Sequence, residues 1–491
     1  MRRFPNQKPI AAALTAALLL ASLSACGGST DPVETQAQTA DTQSETEAVT
    51  LTEQQMYINN LPEADYGGDV FRILSLPDNI SWGRVSYSAE EEVGEILNDF
   101  IYSRNRTVEE RYHITIEEER SENISSMVQN MVSAGLCDYH MISDYVKSIM
   151  TVAVNGYYIN LHNVDSLNFD NPWWDKECTE LLTMEDRLFV AFNDMNTQPL
   201  TQLACLLFNN GLISAFDLES PYQAVLDGRW TMDLFNSMSR AVSADVNGDG
   251  AMDEHDRFGF ITGVGAFSPW MTGGGQPLVI IDKDGVPKIN YGSEAAIAVA
   301  EKIDIAVNDK TTAVYLNDVS WGGSVFMNGR GLFRMDTMGS LESYRDSEMD
   351  IGALPIPKFD ETQENYRTMM GNCSMGVSLP NTALDTDFAG TIIEALGAYS
   401  YIDLKNAYYE VTLKDKASRD EYTPMMLDII VSSRTVDVSV INEFSWGNVV
   451  SSFLSSIRRK GAEQLASLQE KNESKFEKTY EKIRDQYAAL D

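Results

Sequence analysis

The chain has 491 residues, 43% apolar and 22% charged, with a formal net charge of −36 at pH 7. That length is too great for one small core and points to two or three domains. A surface so acidic repels nucleic acid and anionic lipid headgroups, which excludes both as partners.

The N-terminus reads as an export signal. Arg2, Arg3 and Lys8 precede a mainly Ala and Leu run from Ile10 to Leu20, and small residues follow. The run is too short for a membrane span but fits a secretory signal. Its end, Leu23-Ser24-Ala25-Cys26, resembles the bacterial lipobox, in which the Cys becomes the lipidated first mature residue. A signal peptide over 1–26 and a lipid anchor on Cys26 are therefore expected. Multiple acyl chains hold a protein on a membrane without any spanning helix. Residues 27–66 are largely Thr, Gln, Glu, Ser and Ala, and read as a disordered tether.

The folded body opens with a strand pattern over Asp69–Ser75. A helix is expected over about Glu92–Tyr112, a strand over His113–Glu117 and a helix over about Ser125–Ala134. A short strand at Tyr139–Ile142 follows. This alternation predicts an α/β fold, with ligands bound beyond the carboxyl ends of the strands. Trp82, Asp144 and Tyr145 fall at such ends. Leu188–Phe192 and Ala204–Phe208 read as further strands, and Thr231 as the N-cap of the next helix.

That helix runs into DVNGDGAMDEHD, residues Asp245–Asp256, with five acidic side chains and two glycines in twelve positions. With Asp245 as position 1, oxygen side chains fall at 1 (Asp245), 3 (Asn247), 5 (Asp249), 9 (Asp253) and 12 (Asp256). Gly250 takes the turn position 6, and Ala251 at 7 supplies its carbonyl. This is the calcium-loop register, so one structural Ca²⁺ is expected. Asp at position 12 is one methylene shorter than the usual Glu. The alternative is an Asx-rich turn without metal. Arg257–Thr262 looks extended rather than helical, so no helix pair follows that an ion could open, and a sensor role is disfavoured.

Helix Ser293–Val307, a strand at Gly331–Asp336 and an extended Ile351–Pro357 follow, and the C-terminal third reads as mainly helical. Cys137, Cys178, Cys205 and Cys373 form no CxxC pair, and their pairing is left open. There is no GxSxG, HExxH or phosphate-loop motif.

Several stretches together resemble the sugar-type (family 1) extracellular solute-binding lipoproteins of bacterial ABC transporters. They are LLFNNGLISAFDLESPYQAVLDGRWTMDLFNSMSRA, the acidic loop with DRFGF, GRGLFRMDTMGS, DIGALPIPK and AYYEVTLKDKASRDEYTPMMLDII. The resemblance implies two α/β lobes of the type II periplasmic-binding fold, joined by crossover strands, with a C-terminal helical region. It implies a monomer without catalysis, which captures a carbohydrate in the cleft and delivers it to a membrane permease. Crossings are placed near Gln198–Phe208, Gly352–Lys358 and Tyr409–Lys414. Lobe one would be 67–203 plus 358–411, and lobe two 204–357 plus 412–491.

Aromatic rings cover the flat faces of sugars, and carboxylates or amides take their hydroxyls. Of the seven Trp, Trp173, Trp174 and Trp230 sit beside structural turns and read as packing. Trp82, Trp270, Trp321 and Trp446 lie in loops flanked by Gly, Ser or Pro. The resemblance favours Trp270 and Trp446 as cleft aromatics and Asp144 and Asp336 as hydroxyl acceptors, with Asn372 a weaker candidate. For Asp336 the alternative is an ion pair with Arg334 or a cap. A secreted carbohydrate-active hydrolase, with two carboxylates across a scissile bond, and a calcium-stabilised adhesin are the rival classes.

Overall fold

Asp69–Ser75 forms β1, with Phe71, Ile73 and Leu74 buried. The computed structural model describes residues 52–80, 86–263, 266–316, 318–344, 347–383, 385–413, 421–443 and 445–490. The signal, Cys26, most of the tether and Trp82 lie outside them. No helix among the described residues is long and apolar enough to cross a membrane.

β2 (Ile114–Arg120) runs parallel to β1 in the register Asp69↔Ile114, and β3 (Met141–Tyr145) lies on β1's other side. The helices Ile96–Tyr112 and Ile124–Ser133 connect them. The first buries Leu97, Ile101, Arg104, Val108 and Tyr112, which are spaced by three or four residues and so share one face.

The second lobe contains β4 (Ala204–Asn209), β5 (Phe258–Thr262), the hairpin β6 (Val279–Ile281) and β7 (Pro287–Ile289), β8 (Ala313–Tyr315), β9 (Gly331–Thr337) and β10 (Ile351–Leu354). Its main sheet has the order β10-β4-β9-β5-β8. β5 pairs parallel with β9 and β8, and β4 antiparallel with β9 and β10. Between β4 and β5, Thr231 caps the helix Met232–Val242 by accepting the Leu234 N–H at 3.3 Å. After β10 the chain forms β11 (Thr368–Met369), then β12 (Met375–Ser378), which joins β3 to complete the first sheet as β12-β3-β1-β2. β13 (Arg434–Thr435) pairs with β11 as a separate two-stranded ribbon.

The structure corrects several expectations. The tether does not extend to residue 66. Thr52 and Gln55 form a capping box, and Glu53–Asn60 is a helix whose Tyr57 ring meets Trp173 edge-on at 5.5 Å. Leu61 is buried behind it. Leu188–Phe192 forms no strand, only the single bridge Ala191↔Val377. The second crossing comes later than Gly352–Lys358, because Lys358 still exchanges backbone hydrogen bonds with Trp230 and Met232. The region of the third crossing begins inside the helix Asp403–Leu413. Cys137, Cys178, Cys205 and Cys373 are all free thiols.

Candidate ligand-binding cleft

Hydrogen bonds around Leu203 link the two sheets at a crossing. Leu203 accepts the Met338 N–H at 2.9 Å and bridges to Met370. Gly371 donates to the Gln202 carbonyl at 3.2 Å. Just beyond it, the Asn372 and Ser374 carbonyls accept the Lys147 and Val146 N–H groups at 3.4 and 2.9 Å. Buried Gln198 clamps this turn from both sides, donating to the Cys373 carbonyl at 2.9 Å and accepting from Met375 N–H at 2.8 Å. A continuous path therefore joins the carboxyl end of β9, with Asp336, to that of β3, with Asp144 and Tyr145. Strand ends facing across such a crossing are where α/β sheets bind ligands.

Beside it, beyond the end of β1, a partly open cavity has a volume of about 200 Å³. Asp78, Ser86, Ser88, Asn98, Asn196 and Thr197 line it, over Leu97 and Leu404. Two buried charged groups fix its walls. Glu118, on β2, accepts from Ser75 Oγ at 2.6 Å, Tyr87 N–H at 3.1 Å and Ser88 N–H and Oγ at 3.0 and 2.9 Å, and pairs with Arg120 at 3.1 Å. Arg104 donates to the Tyr87 carbonyl at 3.0 Å and the Met195 carbonyl at 2.7 Å, tying the loop after β1 to the segment before the crossing. Burial draws its guanidinium down to about 10. Neither residue was singled out from sequence, but both carry a periodicity signal. Glu118 continues the inward parity of Ile114 and Ile116, and Arg104 falls on the apolar face of its helix.

The expected ligand residues are placed unevenly. Asp144 is 4% exposed and accepts from Tyr145 N–H at 2.7 Å and Ser125 Oγ at 3.4 Å. Burial pushes its carboxyl up to about 6. Tyr145 is half-buried; its hydroxyl donates to the Ile80 carbonyl, and the Lys147 ammonium lies 5.4 Å from its ring centre. Lys147 also reaches Cys373 Sγ at 3.2 Å. Asp336 is engaged by Arg334 Nε at 2.8 Å, Thr337 N–H at 3.0 Å and Ser340 Oγ, so the ion-pair alternative to ligand binding is realised. Asn372 spends its amide on the Val440 carbonyl at 3.3 Å.

Trp270 and Trp446 do not present a face to a cleft. Trp270 has 0% exposure and packs on Phe235 and Phe260, with ring centres 4.8 and 5.5 Å away. Its loop folds into the helix Phe267–Gly273, every residue of which is buried. Trp446, at 2% exposure, is held edge-on by Phe476 and Tyr480 of the C-terminal helix Leu465–Ala488. Flanking glycines marked turns, but packing against distant elements decided burial: an earlier helix and strand for Trp270, a later helix for Trp446. Trp173, Trp174 and Trp230 are packing residues. The first two donate to Glu394 at 3.0 and 2.7 Å, and Trp230 donates to the Pro355 carbonyl at 2.9 Å.

In the acidic loop, Gly250 has φ 86°, the left-handed turn that position 6 requires. Asp245 accepts from Gly248 and Gly250 N–H at 2.6 and 2.8 Å. Asn247, Asp249 and Asp253 each accept the N–H two residues on. Asp256, fully buried, accepts from Val246 and Asp253 N–H at 2.8 Å each, and these bonds hold its carboxyl below the usual range. The donor set is hard oxygen, as calcium needs. Yet the oxygens are turned to loop N–H groups, and no three Asp, Glu, His or Cys side chains gather as a metal-holding group among the described residues.

No family model matches the sequence, and no curated protein matches it. Solved structures do match the fold. An ABC substrate-binding protein from Listeria monocytogenes, in complex with cycloalternan, is 10% identical with TM-score 0.53, over 84% of this chain and 99% of that one. The GacH receptor of Streptomyces glaucescens, solved unliganded and with acarbose, is 11% identical with TM-score 0.50, over 85% and 99%. A cyclo/maltodextrin-binding protein complexed with maltotetraose is 13% identical with TM-score 0.55, over 85% and 97%. The chain thus has the two-lobed type II periplasmic-binding fold.

Proposed function

We propose that this chain is the substrate-binding component of an ABC transporter, capturing an oligosaccharide at the outer cell surface and delivering it to a membrane permease. The observation that carries the reading is a two-sheet α/β body, with strand ends meeting at a hydrogen-bonded crossing beside a polar cavity of about 200 Å³. Proteins of similar fold have been solved with cycloalternan, acarbose and maltotetraose bound. Hydroxyl, amide and carboxylate groups suit a ligand rimmed with hydroxyls, and Trp82 remains a sugar-face candidate from its sequence position alone. Hinge closure of the lobes then traps the ligand.

Calorimetry over a panel of malto-oligosaccharides, cyclodextrins and other glycans tests this. Saturable binding without cleavage is expected, and Trp82→Ala and Thr197→Val should each weaken it. No ligand across the panel, or released product, overturns the reading, the latter in favour of a hydrolase.

Two further features complete the proposal. Cys26 carries the lipid anchor, supported by the Leu-Ser-Ala-Cys ending; fractionation that finds the wild type in detergent-free supernatant refutes it. A Ca²⁺ ion is held by Asp245, Asn247, Asp249, the Ala251 carbonyl, Asp253 and Asp256, supported by their register and by the conformation of Gly250. Chelation should lower the melting temperature, by an amount corresponding to about 2.7 kcal/mol at a hundredfold excess of ion over its dissociation constant. Unchanged melting, with no heat on Ca²⁺ titration, makes the loop an Asx turn only.

A further inference from the structure

A second cavity lies at the far edge of lobe two. β8 is the last strand of the order β10-β4-β9-β5-β8, so it stands about 14 Å from β4, where the crossing begins. The cavity is open on one side and has a volume of about 170 Å³. Its apolar lining includes Val314 of β8, Val307 of the helix Glu294–Asn308 and Phe258 at the start of β5, all buried. Trp321 adds a half-buried indole, 6.0 Å from the Phe258 ring centre.

The polar part is built around one cation. The Arg458 guanidinium lies 3.7 Å over the Tyr315 ring. It donates to Asn308 Oδ1 at 2.8 Å and to Asp318 Oδ2 at 2.8 Å. A ring and two acceptors therefore orient it before any ligand arrives, and these bonds use two of its five N–H donors. Lys310 stands on the same rim. Arg458 and Lys310 against Asp318 leave one positive charge in excess, on a chain whose net charge is −36. An apolar recess with a few converging donors is the usual form of a small-molecule site. The recess suits a flat apolar ring, and the excess charge suits a single anionic group at its edge. A sugar, with hydroxyls on every side, would lose hydration against the apolar lining without enough partners.

We propose that this cavity binds a small aromatic monocarboxylate, its ring against Trp321 and Val314 and its carboxylate on Arg458 and Lys310. The proposal does not rest on the oligosaccharide reading of the cleft. Phenylacetate titrated by calorimetry into the purified chain is the test, with neutral phenylacetamide and glucose as comparators. Saturable binding of phenylacetate is expected, roughly tenfold tighter than that of the amide because charge-assisted hydrogen bonds are the stronger ones. Trp321→Ala should cost roughly tenfold, as loss of a central aromatic contact does. Lys310→Gln, at an exposed position that leaves the fold intact, should cost roughly threefold, an effect that shrinks in high salt. Equal affinity for acid and amide, phenylacetate binding unchanged in both variants, or no saturable heat overturns the proposal. So does glucose binding that is lost in Trp321→Ala.

Discussion

The two lobes hold their ends of the crossing by opposite means. In lobe one the loop after β1 is fixed by buried charge: Glu118 collects four donors from Ser75, Tyr87 and Ser88, and Arg104 ties two carbonyls together. In lobe two the matching layer is aromatic. Phe235, Phe260, Trp270, Phe333 and Trp230 pack with ring centres 4.8 to 6.3 Å apart. Apolar packing is non-directional and tolerates small shifts, whereas a buried carboxylate holds its donors at fixed positions. The lobe whose loops line the polar cavity is the one positioned by directional bonds.

The comparison can be broken most sharply at the aromatic layer. Trp270→Ala should lower unfolding free energy by about 3–5 kcal/mol, the range for a large core aromatic. Urea denaturation measures it, and a change below about 1 kcal/mol would mean that Trp270 is not core after all. Glu118→Ala comes next. It leaves the Tyr87 and Ser88 N–H groups without their acceptor inside the protein, which costs about 3 kcal/mol. Hydrogen exchange at residues 86–88 should rise with it, while lobe two stays protected.

Asp144 sharpens the contrast by pH. Its folded carboxyl titrates at about 6 against an ordinary 3.8, because burial disfavours the charge. The folded state therefore holds the proton more tightly than the unfolded chain. The stability this gives is fully present below pH 4 and is lost as pH rises through 6. Asp144→Asn should make the protein more stable at pH 7 by about 2–3 kcal/mol, with the difference vanishing near pH 4. Denaturation at pH 4, 5.5 and 7 checks the sign. The smallest effect is expected at Thr231, whose hydroxyl accepts the Leu234 N–H at 3.3 Å. Thr231→Ala should cost about 1 kcal/mol through loss of the cap, read as a shift in the urea midpoint at constant slope.

Much of this was legible in the amino-acid order. The strands at Asp69–Ser75, Ala204–Asn209 and Gly331–Thr337 alternate or run apolar, the N-cap at Thr231 is local, and the packing roles of Trp173, Trp174 and Trp230 agree with their turns. Period and capping act over a few residues, so a sequence displays them directly. The class of fold follows from their alternation.

What surrounds a side chain is set by segments far away in the chain, and only the tertiary structure decided that. Trp446 is covered by Phe476 and Tyr480, residues of a helix whose packing no local pattern announces. Trp270 is sealed by Phe235 and Phe260, although its Gly-rich flank looks like an open loop. The cavity beyond β1 brings Asp78 and Ser88 to Asn196, Thr197 and Leu404, which are hundreds of positions apart at the extreme. Local order fixes which elements form and which face of each is apolar. Burial, partner and cavity depend on long-range packing, which no short window of sequence contains.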